Sequence, residues 1–317
     1  MGASSGRRIA RGFAWLVLLG LAASYGVAAL LCAPNQEAVG EPPREFGARD
    51  VTFPSNSGAT IQGWFKQGGA GQGAVLLLHG VHANRLAMLR RARFLSAAGY
   101  AVLLIDFQAH GESLGRQITF GALESRDVQA ASAYLHEKAP GERIGVIGVS
   151  MGGAAALLSD PPLAADALVL EQVYPTIDEA LDNRLRLYLG PFGALVAPLL
   201  RVEMSWHLGL DPLQLRPVDR IGELHAPIFV IAGEVDRHTT LAQSQALFAA
   251  ARAPKQLWIV PSAAHVDLHA RAGPEYERRV LAFFEGTLRN GDAQVTARSI
   301  PSRATSTMKS ISSGVMQ

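Results

Sequence analysis

Apolar positions along the chain fall into two kinds of run. The first is a single block, Phe13 to Cys32 (FAWLVLLGLAASYGVAALLC), twenty residues without a charge. At 1.5 Å per residue a helix of this length spans about 30 Å, the thickness of a bilayer's hydrocarbon core. The second kind is a series of short β-rich runs: Asp50–Pro54, Thr60–Lys66, Ala74–His79, Ala101–Asp106, Ile144–Val149, Ala167–Glu171, Pro227–Gly233 and Gln256–Pro261. Several are continuously apolar, as strands covered on both faces are. Asn56-Ser57-Gly58 between the first two predicts a hairpin turn. Helical patterns separate the later runs, over Leu86–Ala98, Phe120–Lys138, a small-residue stretch from Met151, 240–252 and 274–289. This β-α-β rhythm predicts a mostly parallel sheet with helices on both faces. In such sheets the chemistry sits just beyond the carboxyl ends of the strands.

The same pattern divides the chain. Residues 1–12 are a basic N-terminus, 13–32 a transmembrane signal anchor, 33–48 a linker and 49–289 the α/β body. Between about 172 and 220 the alternation lapses into apolar helical stretches, including Leu181–Leu189 and Ala194–Leu200, which predicts a short cap. Residues 290–317 are rich in Ser, Thr, Arg and Ala without an apolar period and read as disordered.

Charge refines the first block. Arg7, Arg8 and Arg11 precede it without an acid, and Glu37, Glu41 and Glu45 follow with Arg44 as the one base among them. The positive-inside rule then puts the N-terminus in the cytoplasm and the body outside. A cleaved signal peptide is the competing reading: Val27-Ala28-Ala29 is an acceptable cleavage site, and cleavage would release a secreted body. A lipoprotein signal is disfavoured by Leu31 before Cys32.

The net charge of +2 hides a body, residues 33–290, with 23 bases against 26 acids. A mildly acidic body without a basic stripe argues against nucleic acid as a partner. The lone Cys32 excludes an intramolecular disulfide and a CxxC zinc site.

Candidate chemistry appears at the strand ends. Gly148-Val149-Ser150-Met151-Gly152 is a G-x-S-x-G between a strand and a helix. A serine on so sharp a turn needs small neighbours, and the turn lifts its Oγ to the start of the following helix. A serine nucleophile needs a base, and the base an orienting acid. Asp236 follows the strand ending near Gly233, and His265 the one ending near Pro261. Glu234 and Asp211 compete with Asp236, and His238 and His269 with His265. A metal pair from His265 and His269 lacks a third ligand at matching spacing. Donors for a developing oxyanion are the amide of Met151 and, in the loop opened by His79-Gly80, the amide of Val81.

These residues resemble the α/β-hydrolase superfamily, in its Bem46-like and serine-aminopeptidase-like branch with monoacylglycerol-lipase relatives. The resemblance covers about residues 50–288. It rests on His79-Gly80, on Asp106–Ser113 as a D-x-x-x-H-G-x-S loop, on Gly148–Gly153, on Gly233–Asp236 and on His265. It implies an eight-stranded α/β-hydrolase fold, no cofactor, and a triad of Ser150 as nucleophile, Asp236 as acid and His265 as base. Anchor and apolar cap together point to a hydrophobic or lipid-like acyl ester. A thioester, an amide, a peptidase role, acyl transfer and a non-catalytic binding role stay open.

Overall fold

The computed structural model describes residues 2–289; the tail read as disordered, 290–317, lies outside the described residues. Eight strands form one sheet: β1 Arg49–Pro54, β2 Thr60–Lys66, β3 Ala74–Leu78, β4 Ala101–Ile105, β5 Ile144–Val149, β6 Ala167–Glu171, β7 Ile228–Gly233 and β8 Lys255–Val260. Their spatial order is β8-β7-β6-β5-β3-β4-β2-β1. β2 runs antiparallel to both its neighbours and every other pairing is parallel. β3, β4 and β6 are buried at every position, which is why their sequences carry no polar alternation. The chain winds outward in opposite directions from β3, and the crevice at the ends of β3 and β5 is the switch point where such sheets bind ligands.

The helices are α1 Gly2–Cys32, α2 Leu89–Ala97, α3 Glu124–Lys138, α4 Met151–Leu157, α5 Ile177–Leu189, α6 Gly193–Leu208, α7 Pro217–Arg220, α8 Leu241–Ala250, α9 Leu268–Ala272 and α10 Pro274–Leu288. Three differ from the sequence expectation. The first helix continues through the basic segment, because residues 2–12 hold no proline to stop it. The second starts after a 3-10 turn at Arg85–Met88 that Asn84 caps. The third begins at Glu124 rather than Phe120, because Phe120 (φ 52°) and Gly121 (φ 106°) are not helical.

The segment 33–48, read as a linker, is mostly exposed and is tied to the body at several points. Asn35–Gln36 pairs in parallel with His110–Gly111. The amides of Val39 and Gly40 donate to the Glu112 carboxylate, and Phe46 is buried in the core. The Asp106–Ser113 loop beneath it is bound internally. Asp106 accepts from the Arg85 and Glu112 amides and pairs with the Arg85 guanidinium, while Ser113 Oγ donates to the Asp106 carbonyl.

Helices α5 and α6 form the cap between β6 and β7, and α1 packs along α6. Ser24 Oγ donates to Glu203 at 2.5 Å, the Tyr25 and His207 rings lie 4.6 Å apart, and Ala28 is fully buried.

One polar cluster lies within the core. Arg91 reaches Glu171 at the end of β6 through two bonds of 2.9 and 2.6 Å, and Asp267 at 2.9 Å. Tyr276 donates its hydroxyl to the same Glu171 at 2.5 Å. Removing one partner of a buried ion pair strands the other charge. Arg91→Ala is therefore expected to lower stability by about 3–5 kcal/mol in urea denaturation.

Candidate active site

β5 passes into α4 with Ser150 as the single junction residue, at φ 48° and ψ −113°. A side chain rarely adopts this backbone conformation. The glycines around it are sterically required. A Cβ on Gly148 would lie 2.5 Å from the Gly153 Cα, and one on Gly152 would lie 2.6 Å from the carbonyl oxygens of Leu78 and His79. Gly80 differs from expectation: a Cβ there would meet Ser150 Cβ at an ordinary 3.6 Å, so the backbone approach does not demand glycine. The Ser150 amide donates to the Glu171 carbonyl at 2.8 Å, which ties the turn to the buried ion-pair cluster.

Asp236 sits beyond β7, 5% exposed, with donors on both carboxylate oxygens. His265 Nδ1 lies 2.8 Å from Oδ2, and Gln172 Nε2 donates to the same oxygen at 3.0 Å. The amides of His238 and Thr239 donate to Oδ1 at 2.8 and 2.9 Å. Burial opposes ionisation, but the His265 bond and charge, followed by the two amides, outweigh it and hold the carboxyl below its usual range. The competing acids are engaged elsewhere. Glu234 accepts from the Ser262 amide, and Asp211 caps the turn at Pro212–Gln214. The competing histidines separate too. His269 binds Glu277 at 2.8 Å and stacks on Tyr276, whereas the His238 ring lies 5.2 Å from that of His265 without reaching the carboxylate. Among the described residues no group of three or more His, Cys, Asp or Glu is placed to hold a metal ion.

Ser150 and His265 line one open cavity of about 450 Å³. Among the described residues no hydrogen bond joins them; such contacts are often long without substrate and tighten when it binds. A second, largely apolar pocket of about 210 Å³ meets the first at Ser150 and runs under the cap, lined by Leu31, Phe120, Ile177, Leu181 and Met204.

His79 organises the edge shared by both cavities. It is fully buried, its Nε2 accepts the Phe107 amide at 3.1 Å, and its Nδ1 lies 2.7 Å from the Gly80 carbonyl. An acceptor at Nε2 assigns the proton to Nδ1, which therefore donates to Gly80. The Gly80 carbonyl and the Val81 amide share one planar peptide with opposed directions. Fixing the carbonyl thus aims the Val81 N–H away from His79. Val81 lines both cavities beside Ser150, and Met151 the apolar one.

The profile of the family described as Serine aminopeptidase, S33, matches residues 69–205. An uncharacterized protein of Mycobacterium tuberculosis is 31% identical over 227 residues, 69% of this chain and 73% of its own length. The chain belongs to the α/β-hydrolase superfamily. The uncharacterized protein YqkD of Bacillus subtilis is 26% identical to this α/β-hydrolase, over 74% of its chain and 78% of the relative's. Among solved structures, the Pyrococcus furiosus esterase Pf2001 is similar in fold, with a TM-score of 0.69, 24% identity, and 81% and 98% of the two chains covered. An esterase of Thermogutta terrifontis has a TM-score of 0.55 at 17% identity, covering 75% and 99%.

Sequence reasoning missed two residues of this hydrolase's site. Gln172, at φ 52°, directly follows β6 and bridges Asp236 to the Ala264 carbonyl at 2.7 Å. The rule that singles out residues after each strand applies to it equally. Arg184 projects from the cap onto both cavities, and no motif marks it.

Burial lowers the pKa of His79 to about 3, with neighbouring His110 acting in the same direction and the Gly80 carbonyl opposing. The unfolded imidazole binds a proton below about pH 6.5 and the folded one does not. Stability from this group is therefore complete above that pH and falls with acidification toward the folded value. Between about pH 6.5 and 5 the loss is about 2 kcal/mol. Urea denaturation at neutral pH and at about pH 5 is expected to show a smaller acid loss for His79→Gln than for the parent.

Proposed function

We propose that this α/β-hydrolase cleaves esters of hydrophobic acyl groups through an acyl-enzyme on Ser150. The observation that carries the reading is the His265–Asp236 pair at 2.8 Å, on the rim of the cavity that holds a serine in a strained strand-to-helix turn. In this mechanism His265 Nε2 takes the proton of Ser150 Oγ as the oxygen attacks the acyl carbonyl. Asp236 holds Nδ1–H and so fixes the tautomer. The amides of Val81 and Met151 receive the oxyanion; Met151 opens α4, where an N–H has no intrahelical partner. His265 returns the proton to the leaving alkoxide, and water then releases the acid by the same path.

The apolar pocket supports an acyl chain over a peptide. A free aminopeptidase substrate carries a cationic amine, and the residues facing Ser150 include Arg184, His82 and His238 rather than an unpaired carboxylate. That electrostatic character favours esters within a family whose description names a peptidase.

We also infer that α1 anchors the enzyme, with the body outside the cytoplasmic face. Arg11–Cys32 has a hydropathy of 2.1, and Phe13, Trp15, Leu16, Leu18 and Leu19 are exposed.

Ser150→Ala is expected to abolish both fluorophosphonate labelling and p-nitrophenyl butyrate turnover, and persistence of either refutes the assignment. Asp236→Asn, with a misplaced tautomer, is expected to lower kcat by about 10⁴. Ala180 lines the acyl pocket and is buried against the core. Ala180→Phe is expected to shift a p-nitrophenyl ester series toward shorter chains, read as the chain length of maximal kcat/KM.

A further inference from the structure

Arg184 lies in α5, at the seam where the open cavity and the apolar pocket meet over Ser150. Its Nη1 donates to the Ala180 carbonyl, one turn back in its own helix, at 3.0 Å. Among the described residues no carboxylate lies within 4.0 Å of it. Three arginines in and beside the cap are paired, and Arg186 of the same helix is exposed to solvent. Arg201 is held by Asp178 and Asp182, Arg216 by Asp219, and Arg220 by Glu223.

The surroundings of Arg184 add no negative charge. His82 and His238 line the open cavity with it, and burial, then the charge of Arg184, disfavours protonation of both, leaving neutral rings that can donate hydrogen bonds. Asp267, an acid lining that cavity, is taken by Arg91, and Asp236 is taken by His265. A half-buried guanidinium without a counter-ion is costly, and its planar fork suits the two oxygens of a carboxylate or phosphate. The charge of Asp236 acts on Arg184 from beyond pairing distance, and an anionic group entering the cavity would supply a direct counter-ion.

We propose that Arg184 binds an anionic oxyacid group, phosphate or carboxylate, on the alcohol half of the ester. This rests on the hydrolase reading above. The apolar pocket, with Leu31, Phe120 and Met204, receives the acyl chain. The alcohol half then lies in the open cavity, where Arg184, His82 and His238 stand. During turnover the acyl carbon–oxygen bond breaks, His265 protonates the departing alkoxide, and the product keeps its anionic group on Arg184 until release. Arg184 is thus a specificity-determining residue rather than part of the proton relay.

The test uses the full chain with three substrates of one acyl length: 1-lauroylglycerol, its 3-phosphate, and the lauroyl ester of glycerate. The parent enzyme is expected to prefer at least one anionic ester over the neutral one in kcat/KM. Which one wins distinguishes phosphate from carboxylate. Arg184→Gln is expected to cut the anionic-to-neutral ratio roughly ten- to a hundredfold, mainly through KM, and Arg184→Lys to restore part of it. Glycerol 3-phosphate or glycerate is expected to inhibit the parent competitively where glycerol does not, a readout that needs no variant. Absence of any anionic preference and of that inhibition overturns the proposal. So does an equal fall on all three esters in Arg184→Gln, which would assign the arginine to general support of the transition state. Failure of the underlying reading looks different: fluorophosphonate labelling that survives Ser150→Ala, with none of the three esters turned over.

Discussion

The close approach of α4 to the ends of β3 and β5 is the constraint on which the site depends. A strand turns into a helix at one residue, so Ser150 is held in a backbone conformation that costs on the order of 1–3 kcal/mol. The cost is offset on two sides. Gly148 and Gly152 remove the atoms that would push the helix away from the sheet. The Ser150 amide hangs on the carbonyl of Glu171, whose carboxylate is clamped by Arg91 and Tyr276. An ion-pair cluster whose Arg91 and Asp267 line the same cavity as Ser150 therefore holds the serine turn in shape. Stability and proposed reactivity are coupled through one glutamate, one through its main chain and the other through its side chain.

Electrostatics extends the same logic. The site contains two buried titratable groups pushed away from their ordinary behaviour in ways their bonds explain. Asp236 stays ionised because four donors surround it, against the pull of burial. His79 stays neutral because burial dominates, and only a neutral ring can accept from Phe107 and donate to Gly80 at once. One group supplies a fixed negative charge behind His265. The other fixes the peptide whose N–H we propose as an oxyanion donor.

Much of the architecture was legible because buried parallel strands write themselves as apolar runs. Ala74–Leu78, Ala101–Ile105 and Ala167–Glu171 carry no competing pattern. The residues immediately after the strands were legible for the same reason, since a strand end is a position as well as a pattern. What was not legible has two physical causes. Phe120 and Gly121 interrupt a helical period by backbone angles that composition does not encode, so α3 starts late. The segment 33–48 and Gln172 and Arg184 act through long-range contacts, to Glu112, to Asp236 and across the cavity mouth, which no local spacing announces. Asp236 was distinguishable from Glu234 by donors alone: both follow β7, but Glu234 turns toward the Ser262 amide.

Under the anchoring proposed above, the packing of α1 on the cap has a kinetic meaning. Leu31, near the end of that helix, is a wall of the pocket that opens onto Ser150. Tyr188, Phe192, Leu195 and Trp206 of the cap segment are exposed, and α1 packs along α6 of that cap. An amphiphile dissolved in the lipid leaflet would then reach the serine by lateral diffusion in two dimensions, without its tail crossing water. Its turnover would follow its mole fraction in that leaflet, so two esters equally dilute in bulk solution would be consumed at different rates according to how strongly each partitions into the bilayer.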